Sequence, residues 1–397
     1  MASDPTSVMD PARLTADPHT GYAELRRRGP VHRMTGSDGL PFWLVTRYED
    51  VRRALADPRL SLDKRHARPG NYRGLALPPA LDANLLNMDP PDHTRIRRLV
   101  GQAFTPRRIE QMREPVQRLA DELLDVVEPA GRAELIADYA APLPITVICD
   151  LLGVPVADRR DFRGWTDTLI SPDPARPEAA RAAVGAMLRF FTELIAHKRA
   201  EPGDDLLSAL TAVRDREDRL SEDELTSLAF LVLFAGYENT VHLIGNGVLA
   251  LLEHPEQLAA LRADPGLIGP AVAELARFDG PTPLAIRRFT REDVEIGGVR
   301  VPAGETVLLS IASANRDPAH FAGPEVLDLR RPESGQVTLG HGIHYCLGAP
   351  LARLEGEIAL ATLLRRFPAL ALDGPAGALR RRPSLRARGL LALPVRF

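Results

Sequence analysis

The chain has 397 residues, of which 45% are hydrophobic and 26% charged, which is typical of a globular protein and unlike a disordered chain. A formal net charge of -3 provides no excess of positive charge for binding nucleic acid or an anionic membrane. Only two cysteines occur, which excludes a disulfide scaffold and favours the cytoplasm. No secretory signal and no apolar run long enough to cross a bilayer is recognisable.

Helical patterns dominate the sequence. Thr105-Pro106 predicts the start of a helix whose apolar positions continue to Leu123. Residues 176–200 predict another helix. Ser221-Glu222-Asp223-Glu224 forms a capping box, and the apolar pattern after it predicts a long helix over 222–253. At 1.5 Å per residue that helix would be on the order of 45 Å long, enough to cross the whole molecule.

Strand patterns are fewer and lie far apart in the sequence. They occupy 42–46, 294–310 and 390–395, and the second includes a hairpin around Gly297-Gly298. Strands so widely separated can pair only if the chain between them folds with them. We therefore expect residues 1–397 to form one mostly α-helical domain with a minor β region.

Cys346 lies in the sharpest motif, a loop in which glycines stand on both sides of the cysteine. Glycines allow a tight loop whose amides approach the sulfur. Pro350 begins an amphipathic helix just after it, so the helix dipole would favour the thiolate. Such a thiolate suits a nucleophile or an iron ligand. The alternatives are an inert core cysteine, or zinc bound with His341 and His344, for which no fourth ligand is evident.

Residues 340–348 resemble the haem-binding loop of the haem-thiolate monooxygenases, the cytochromes P450, through Gly340-x-Gly342-x-His344-x-Cys346-x-Gly348. Three other motifs of that family stand in the family's order: His93-x-x-x-Arg97, Ala-Gly-Tyr-Glu-Asn-Thr at 235–240, and Glu274-x-x-Arg277. The resemblance extends over essentially the whole chain. It implies the cytochrome P450 fold, haem b as cofactor and dioxygen as co-substrate.

The resemblance also assigns roles to individual residues around the haem. Cys346 would be the axial ligand of the iron. Basic and hydrogen-bond-donating side chains would bind the two haem propionates. Arg287 is the alternative to Arg288 among them. These propionate contacts are His93, Arg97, Arg288 and His344.

Glu274, Arg277 and Arg331 correspond to a buried ionic cluster of the family. Its role is structural, so no catalytic step is assigned to these three residues. Gly236 would let the helix backbone approach the porphyrin.

The catalytic candidates are Glu238, Asn239 and Thr240, in the middle of the long helix. The family places an acid followed by an alcohol here, which relay protons to iron-bound dioxygen. In this sequence the acid is Glu238, but Asn239 occupies the alcohol position. Thr240 points about 100° away on the helix. Asn239 can position a water but cannot relay a proton through a hydroxyl, so ordered water, Asn239 or a substrate hydroxyl would substitute. The alternative is that Asn239 only stabilises a kink in the helix.

The expected reaction is hydroxylation or epoxidation of a lipophilic secondary metabolite, a macrolide or another polyketide. A terpenoid, steroid or small aromatic compound is the alternative substrate. A non-catalytic helper with the same fold and a cysteine hydrolase are the competing functions. The residues predicted to line the substrate pocket are Leu231, Ala235, Pro283, Leu284 and Arg386.

Electrons would come from NAD(P)H through a ferredoxin reductase and a ferredoxin, and the protein would act as a monomer. The ferredoxin would dock on a basic surface on the cysteine side of the haem. The residues expected there are Arg95, Arg98, Arg107, Arg108 and Arg353.

Overall fold

A computed structural model describes residues 11–36, 38–72, 78–170, 176–217, 220–332 and 335–397. Most of these residues lie in helices, as the sequence predicts. The helices are α1 Pro11–Ala16, α2 Pro18–Arg28, α3 Tyr48–Ala56, α4 Pro79–Asp82, α5 Asp92–Ala103, α6 Pro106–Gln111, α7 Arg113–Val127, α8 Pro142–Leu152, α9 Arg159–Ile170, α10 Pro177–Ala200, α11 Leu206–Glu217, α12 Glu222–Glu253, α13 Pro255–Ala263, α14 Ile268–Asp279, α15 Ile311–Ala314 and α16 Ala349–Arg366.

The central helix α12 begins and ends where the sequence predicts. The Ser221 side chain accepts the main-chain N–H of Glu224, and the Glu224 carboxylate accepts the N–H of Ser221, which completes the capping box. By length and composition α12 could cross a membrane. However, 61% of its apolar window is buried in the protein, where it contacts α4, α8, α14 and α16. Packing inside the fold therefore accounts for its apolar character.

The β region consists of a five-stranded sheet in the order β1-β2-β8-β5-β3, a three-stranded sheet in the order β4-β10-β9, and the hairpin β6-β7. The hairpin turns at Gly297 and Gly298, both with positive φ, as expected for a two-residue turn. The strands are β1 Val31–Thr35, β2 Pro41–Val45, β3 Leu60–Ser61, β4 Arg132–Glu134, β5 Arg288–Thr290, β6 Val294–Ile296, β7 Val299–Val301, β8 Thr306–Leu309, β9 Ala371–Leu372 and β10 Pro394–Arg396.

Two predicted elements differ from the structure. The helix predicted from Thr105 to Leu123 is divided at Met112 into α6 and α7. Pro115 explains the break, because it has no N–H to donate to the carbonyl of residue 111. The strand predicted over 390–395 forms only from Pro394 onward. Ahead of it, the N–H of Leu393 donates to the Glu134 carboxylate instead of to a strand.

The helical core brings α5, α12 and α16 together, and buried apolar residues of all three belong to one continuous cluster. A second cluster joins α3 to the five-stranded sheet. The cysteine loop leads into α16 and so lies beside the helical core. Gly342 of the loop packs against Ala56 at the end of α3, which places the loop beside the sheet as well. The fold thus places this loop between the helical core and the sheet.

Candidate active site

The loop that carries Cys346 folds back on itself. The Cys346 N–H donates to the Leu339 carbonyl at 2.8 Å. Gly340 and Gly342 have φ values of 78° and 75°, a left-handed conformation that side chains disfavour. A Cβ atom at Gly342 would also lie 3.1 Å from the Cα of Ala56. Two of the glycines that marked the motif are therefore required by backbone conformation, and one of them also by contact.

The Cys346 thiol does not become a thiolate through its position alone. Burial raises the pKa of the Cys346 thiol, and the Gly348 N–H and the charge of Arg97 oppose this only in part. The N–H of Gly348, the N-cap of α16, favours the thiolate as expected of the helix N-terminus, but burial of the thiol outweighs it. A bound metal cation would remove the proton, as it does from coordinating thiols generally.

Four donor side chains converge beside the cysteine loop. His93, in the first turn of α5, is buried, and neither of its ring nitrogens has a hydrogen-bond partner. Its ring lies 4.1 Å from that of His344, centroid to centroid. Arg97, one turn along α5, donates to the Tyr345 carbonyl at 2.6 Å. Arg288 reaches the same region from β5 and is also buried.

The charges at this cluster repel one another. The pKa of His344 is lowered to about 3, first by burial and then by His93, Arg288 and Arg97. Burial and Arg97 lower the pKa of His93 to about 4. Burial also lowers the pKa of Arg288 to about 10. Buried cationic groups and donor nitrogens without partners indicate that an anion belongs here.

Haem fits this cluster. Its two propionates would supply the missing negative charge and acceptors, and Cys346 lies close enough to Arg97 to interact with its charge. The nearby carboxylate of Asp89 is already held by the Ser61 hydroxyl and the Leu62 N–H. Arg287, the alternative to Arg288, turns away and donates to the Leu86 carbonyl and to Asn87. The structure therefore places Arg288 at the cluster and excludes Arg287 from it.

The middle of α12 exposes one narrow strip. Ala235 and Asn239, one turn apart, are exposed, whereas Tyr237 and Thr240 are buried. Gly236 does not face this strip, because a Cβ atom there would lie 3.0 Å from Cδ1 of Ile148 on α8. The absence of a side chain at Gly236 allows close packing of α12 against α8. That the backbone at Gly236 lies close to the porphyrin stays a prediction.

Asn239 and Thr240 point in different directions, as the helical rotation predicts. The Asn239 amide donates to the Ala235 carbonyl at 3.1 Å, and its oxygen accepts the Thr282 hydroxyl at 3.0 Å. The Thr240 hydroxyl donates to the Gly236 carbonyl at 3.0 Å. Both side chains therefore bond to carbonyls four residues earlier, which is a local alternative to ordinary helix hydrogen bonding.

Glu355 is a residue of this site that the sequence analysis missed. It lies on α16, is 2% exposed, and hydrogen-bonds to the Thr240 side chain. Burial raises the pKa of Glu355 to about 8, and its Oε1 has no hydrogen-bond partner. A carboxyl group on the apolar face of α16, between Leu354 and Ile358, is the sequence signal that could have revealed it.

Glu238 lies on the side of α12 that faces the chain's C-terminal segment. Its Oε1 is 3.4 Å from Nε2 of His242 and 3.9 Å from Nε of Arg382. Glu238 therefore has cationic or donor neighbours, whereas Asn239 faces the open strip.

The Glu274 cluster forms as a buried set of ion pairs. Both Glu274 oxygens accept from Arg277, each at 2.7 Å. Arg331 donates to the same carboxylate at 3.1 Å. Arg277 also donates to the carbonyls of Asn315 and Pro324. These contacts tie α14 to the segment that precedes the cysteine loop.

The residues predicted to line the pocket separate into two groups. Ala235 is exposed and Leu231 half-buried on α12. Leu284 instead packs with Tyr22, Phe42 and Leu44 in a buried cluster, and Pro283 borders a small cavity beside Tyr22. Ile286 in the same segment was not among the predicted residues. Its apolar side chain is 39% exposed. Arg386 lies exposed in a loop, where its N–H donates to Ser384.

Comparisons with known proteins identify the family of this chain. The sequence profile of the family "Cytochrome P450" matches residues 267–376, which include Glu274 and Cys346. The vitamin D(3) 25-hydroxylase of Pseudonocardia autotrophica is 48% identical over 96% of this chain and 93% of its own length.

The chain is a cytochrome P450.

Two further members of the family extend the comparison. The 6-deoxyerythronolide B hydroxylase of Saccharopolyspora erythraea is 46% identical over 95% of each chain. The tirandamycin C-bound structure of the P450 monooxygenase TamI superposes with a TM-score of 0.89 at 45% identity, covering 98% of this chain and 99% of that one.

The predicted class of enzyme, the fold and the cofactor are confirmed. This P450 is a monooxygenase that uses haem b and dioxygen, with electrons that come from NAD(P)H through redox partners. Neither the helper nor the hydrolase interpretation is supported, since the relatives are named as hydroxylases. The zinc interpretation also lacks support, because the described residues contain no group of three or more metal-binding side chains.

Proposed function

We propose that this P450 hydroxylates or epoxidises a lipophilic secondary metabolite, a macrolide or a related polyketide, and that residues 1–397 act as one catalytic domain. The observation that carries the proposal is Cys346 beside the cluster of His93, Arg97, Arg288 and His344, the arrangement that a haem needs. The relative named for 6-deoxyerythronolide B and the TamI structure with tirandamycin C support the substrate class.

Cys346 would ligate the haem iron, and the four donors would hold the propionates. When bound, the haem supplies the activation of dioxygen that allows one oxygen atom to enter the substrate. The protein orients this group with two of its own elements, since His93 and Arg97 stand on α5 and His344 is part of the cysteine loop. Arg288, buried on β5, adds a charge that would be costly without the anion.

Proton delivery would come from α12. Glu238 has one carboxylate oxygen near His242 and Arg382, and Asn239 presents its amide to the exposed strip. Glu355, protonated below about pH 8, would donate to Thr240, whose hydroxyl donates in turn to the Gly236 carbonyl. Glu238 and Glu355 lie on two sides of the same helix turn. Asn239 itself would position a water but could not relay a proton through a hydroxyl.

The substrate would lie against the exposed strip of α12 and the segment that contains Ile286. Leu231 and Ala235 provide apolar surface on the helix, and Ile286 provides it on the segment before β5. Apolar walls with few polar groups suit a bulky lipophilic molecule. Thr282, bonded to Asn239, is a polar group at the border of this region.

The electron donor would be a ferredoxin fed by an NAD(P)H-dependent reductase. Arg98, Arg107 and Arg353 are exposed as predicted. Arg95 and Arg108 instead pair with carboxylates, Glu224 at 2.5 Å and Asp204 at 3.2 Å. Their charges are therefore compensated within the protein, which weakens their predicted role in docking.

The surface beside the cysteine loop contains basic residues that the sequence analysis missed. A cleft of about 520 Å³ is lined by Arg52, Arg53, Arg59 and His341. Its one carboxylate, Asp57, is paired with Arg59 at 2.7 Å. The exposed apolar side chains of Ile343 and Tyr345 lie in the loop itself. Positive charge around an apolar centre suits an acidic ferredoxin that binds a monomer of this protein in the cytoplasm.

The first experiment is the absorption spectrum of the dithionite-reduced protein with and without carbon monoxide. A strongly red-shifted Soret band is expected from a thiolate-ligated haem, and its absence would contradict the haem assignment.

The second experiment is titration of the ferric protein with 6-deoxyerythronolide B, tirandamycin C and vitamin D3. A Soret shift with either of the first two supports the polyketide class. A shift with vitamin D3 alone would favour the second candidate, a secosteroid, which the 48% identical vitamin D(3) 25-hydroxylase suggests.

A further inference from the structure

His242 lies one helical turn after Glu238 on α12 and faces the same side. Its Nε2 is 3.4 Å from Oε1 of Glu238. The imidazole is 4% exposed, and its Nδ1 is buried without a hydrogen-bond partner. A buried imidazole with one bonded nitrogen is restricted in both tautomer and orientation. Nε2–H donating to the carboxylate is the tautomer that this contact selects.

The turn over 381–390 holds the His242 ring in place. A Cβ atom at Gly389 would lie 2.0 Å from Nδ1 of His242, so only glycine fits against this ring. The Arg382 N–H donates to the Gly389 carbonyl at 2.9 Å. The side chain of Arg382 reaches Oε1 of Glu238 at 3.9 Å. One turn therefore both clamps the imidazole and supplies the arginine.

The two oxygens of Glu238 are in different surroundings. His242 and Arg382 both approach Oε1. Within the described part of the chain, no hydrogen bond to Oε2 is found, and the side chain is 22% exposed. One oxygen is therefore anchored, and the other has no hydrogen-bond partner among the described residues. An acid that delivers protons needs this arrangement, because an unanchored carboxylate would rotate between the pocket and Arg382.

We propose that His242 is a positioning residue for proton delivery: its Nε2–H fixes Oε1 of Glu238, so that Oε2 stays available to water at the oxygen-reducing site. The proposal rests on the role given to Glu238 under the proposed function. No proton needs to leave His242, which remains the donor throughout. The glycine at 389 is then part of the proton-delivery site, because it makes room for the His242 ring.

The test compares His242→Leu, His242→Gln and Glu238→Gln, with His254→Leu as the matched control. His254 stands near the end of the same helix, and its ring nitrogen bonds to the Ala250 carbonyl instead of to a carboxylate. The assay measures hydrogen peroxide formed per NADPH consumed without substrate, using a ferredoxin and its reductase. We expect a several-fold higher peroxide share for His242→Leu, a near-normal share for His242→Gln, and no change for the control. Glutamine restores an N–H donor at similar reach.

A second measurement does not depend on turnover. The protein is labelled with ¹⁵N-histidine and held in the diamagnetic ferrous carbonyl form for NMR spectroscopy. The signals that disappear in His242→Gln belong to His242. Glu238→Gln should shift those signals and leave the His254 signals in place. Unshifted His242 signals would show that the contact does not form in solution and would overturn the proposal.

The outcomes separate the two proposals. A normal peroxide share in Glu238→Gln would contradict the role of Glu238 itself, and the inference would fail with it. An altered share in Glu238→Gln with a normal share in His242→Leu would refute only the role of His242. If His242→Gln behaved like His242→Leu, the N–H donor would not be the determinant, and the inference would again be overturned.

Discussion

The Thr240 hydroxyl lies between the main-chain carbonyl of Gly236 and the carboxyl group of Glu355, and so joins the central helix to the helix that follows Cys346. The arrangement is consistent with a protonated Glu355, which donates to Thr240 while Thr240 donates to the carbonyl. A neutral Glu355 therefore lies on the buried side of this turn of α12, and Asn239 lies on the exposed side of the same turn. The titration of this acid has consequences for stability.

Glu355→Gln should remove a pH dependence from the stability of the holoenzyme. Burial raises the pKa of this carboxyl group to about 8, from 4.5 in the unfolded chain. The folded state therefore binds the extra proton between these values, and stability falls as pH rises by about 1.4 kcal/mol per unit from this group. The stabilisation is complete below about pH 4.5 and lost above about pH 8.

Denaturant unfolding at pH 6, 7 and 8 measures this effect. Wild type should lose stability across the range more steeply than Glu355→Gln. Glu357→Gln, a half-buried acid two residues along α16, is the control and should keep the wild-type slope. Parallel slopes for wild type and Glu355→Gln would mean that Glu355 does not titrate here.

Cys346→Ser should abolish the red-shifted Soret band of the reduced carbonyl complex, because a serine hydroxyl cannot replace the thiolate as iron ligand. Cys149→Ser is the matched control. Burial raises the pKa of the Cys149 thiol to about 12, and it lies in the apolar helix α8. The control should lose stability but keep the spectrum. An unchanged spectrum in Cys346→Ser would refute the ligand assignment.

Arg97→Leu should weaken haem retention by roughly tenfold or more, since a charge-assisted contact to a propionate is worth about 1.5–3 kcal/mol. Arg98→Leu, the next residue on α5, is exposed and should retain haem as wild type does. Transfer of haem to apomyoglobin measures the loss rate. Equal rates in the two variants would contradict the placement of a propionate at Arg97.

Asn239→Ala should lower the fraction of NADPH electrons that reach product, because the amide that orders water at the exposed strip is lost. Thr282→Val removes only the hydroxyl that donates to Asn239, at 3.0 Å, and should give a smaller change in the same direction. The substrate identified by the binding titration serves for this assay. If the coupling and the rate of Asn239→Ala equalled those of wild type, Asn239 would have no part in proton delivery.

Local patterns in the sequence were sufficient for much of this site. The capping box predicted the start of α12, and the spacing of His93 and Arg97 predicted their shared face. The glycines around Cys346 predicted a tight loop, and helical rotation predicted that Asn239 and Thr240 diverge. Each of these depends on residues within a few positions of one another, where helix or loop geometry alone decides the outcome.

The contacts that the sequence did not predict have a common origin. Gly236 faces Ile148, Leu284 packs against the N-terminal cluster, and Arg95 pairs with Glu224. In each case a partner distant in sequence decides where the residue points. Arg288 was the predicted propionate contact, with Arg287 as the alternative, and distant partners likewise decide that Arg287 turns to Leu86 and Asn87.

The sequence by itself determined the family, the tight cysteine loop and the central helix, because those depend on residue type and short spacing. Only the tertiary structure placed Glu355 against Thr240, and the His242 ring against Gly389. Both pairs join elements more than a hundred residues apart. Burial then raises the pKa of the Glu355 carboxyl group, because removal from water raises the free-energy cost of its charge. No local sequence pattern predicts that burial.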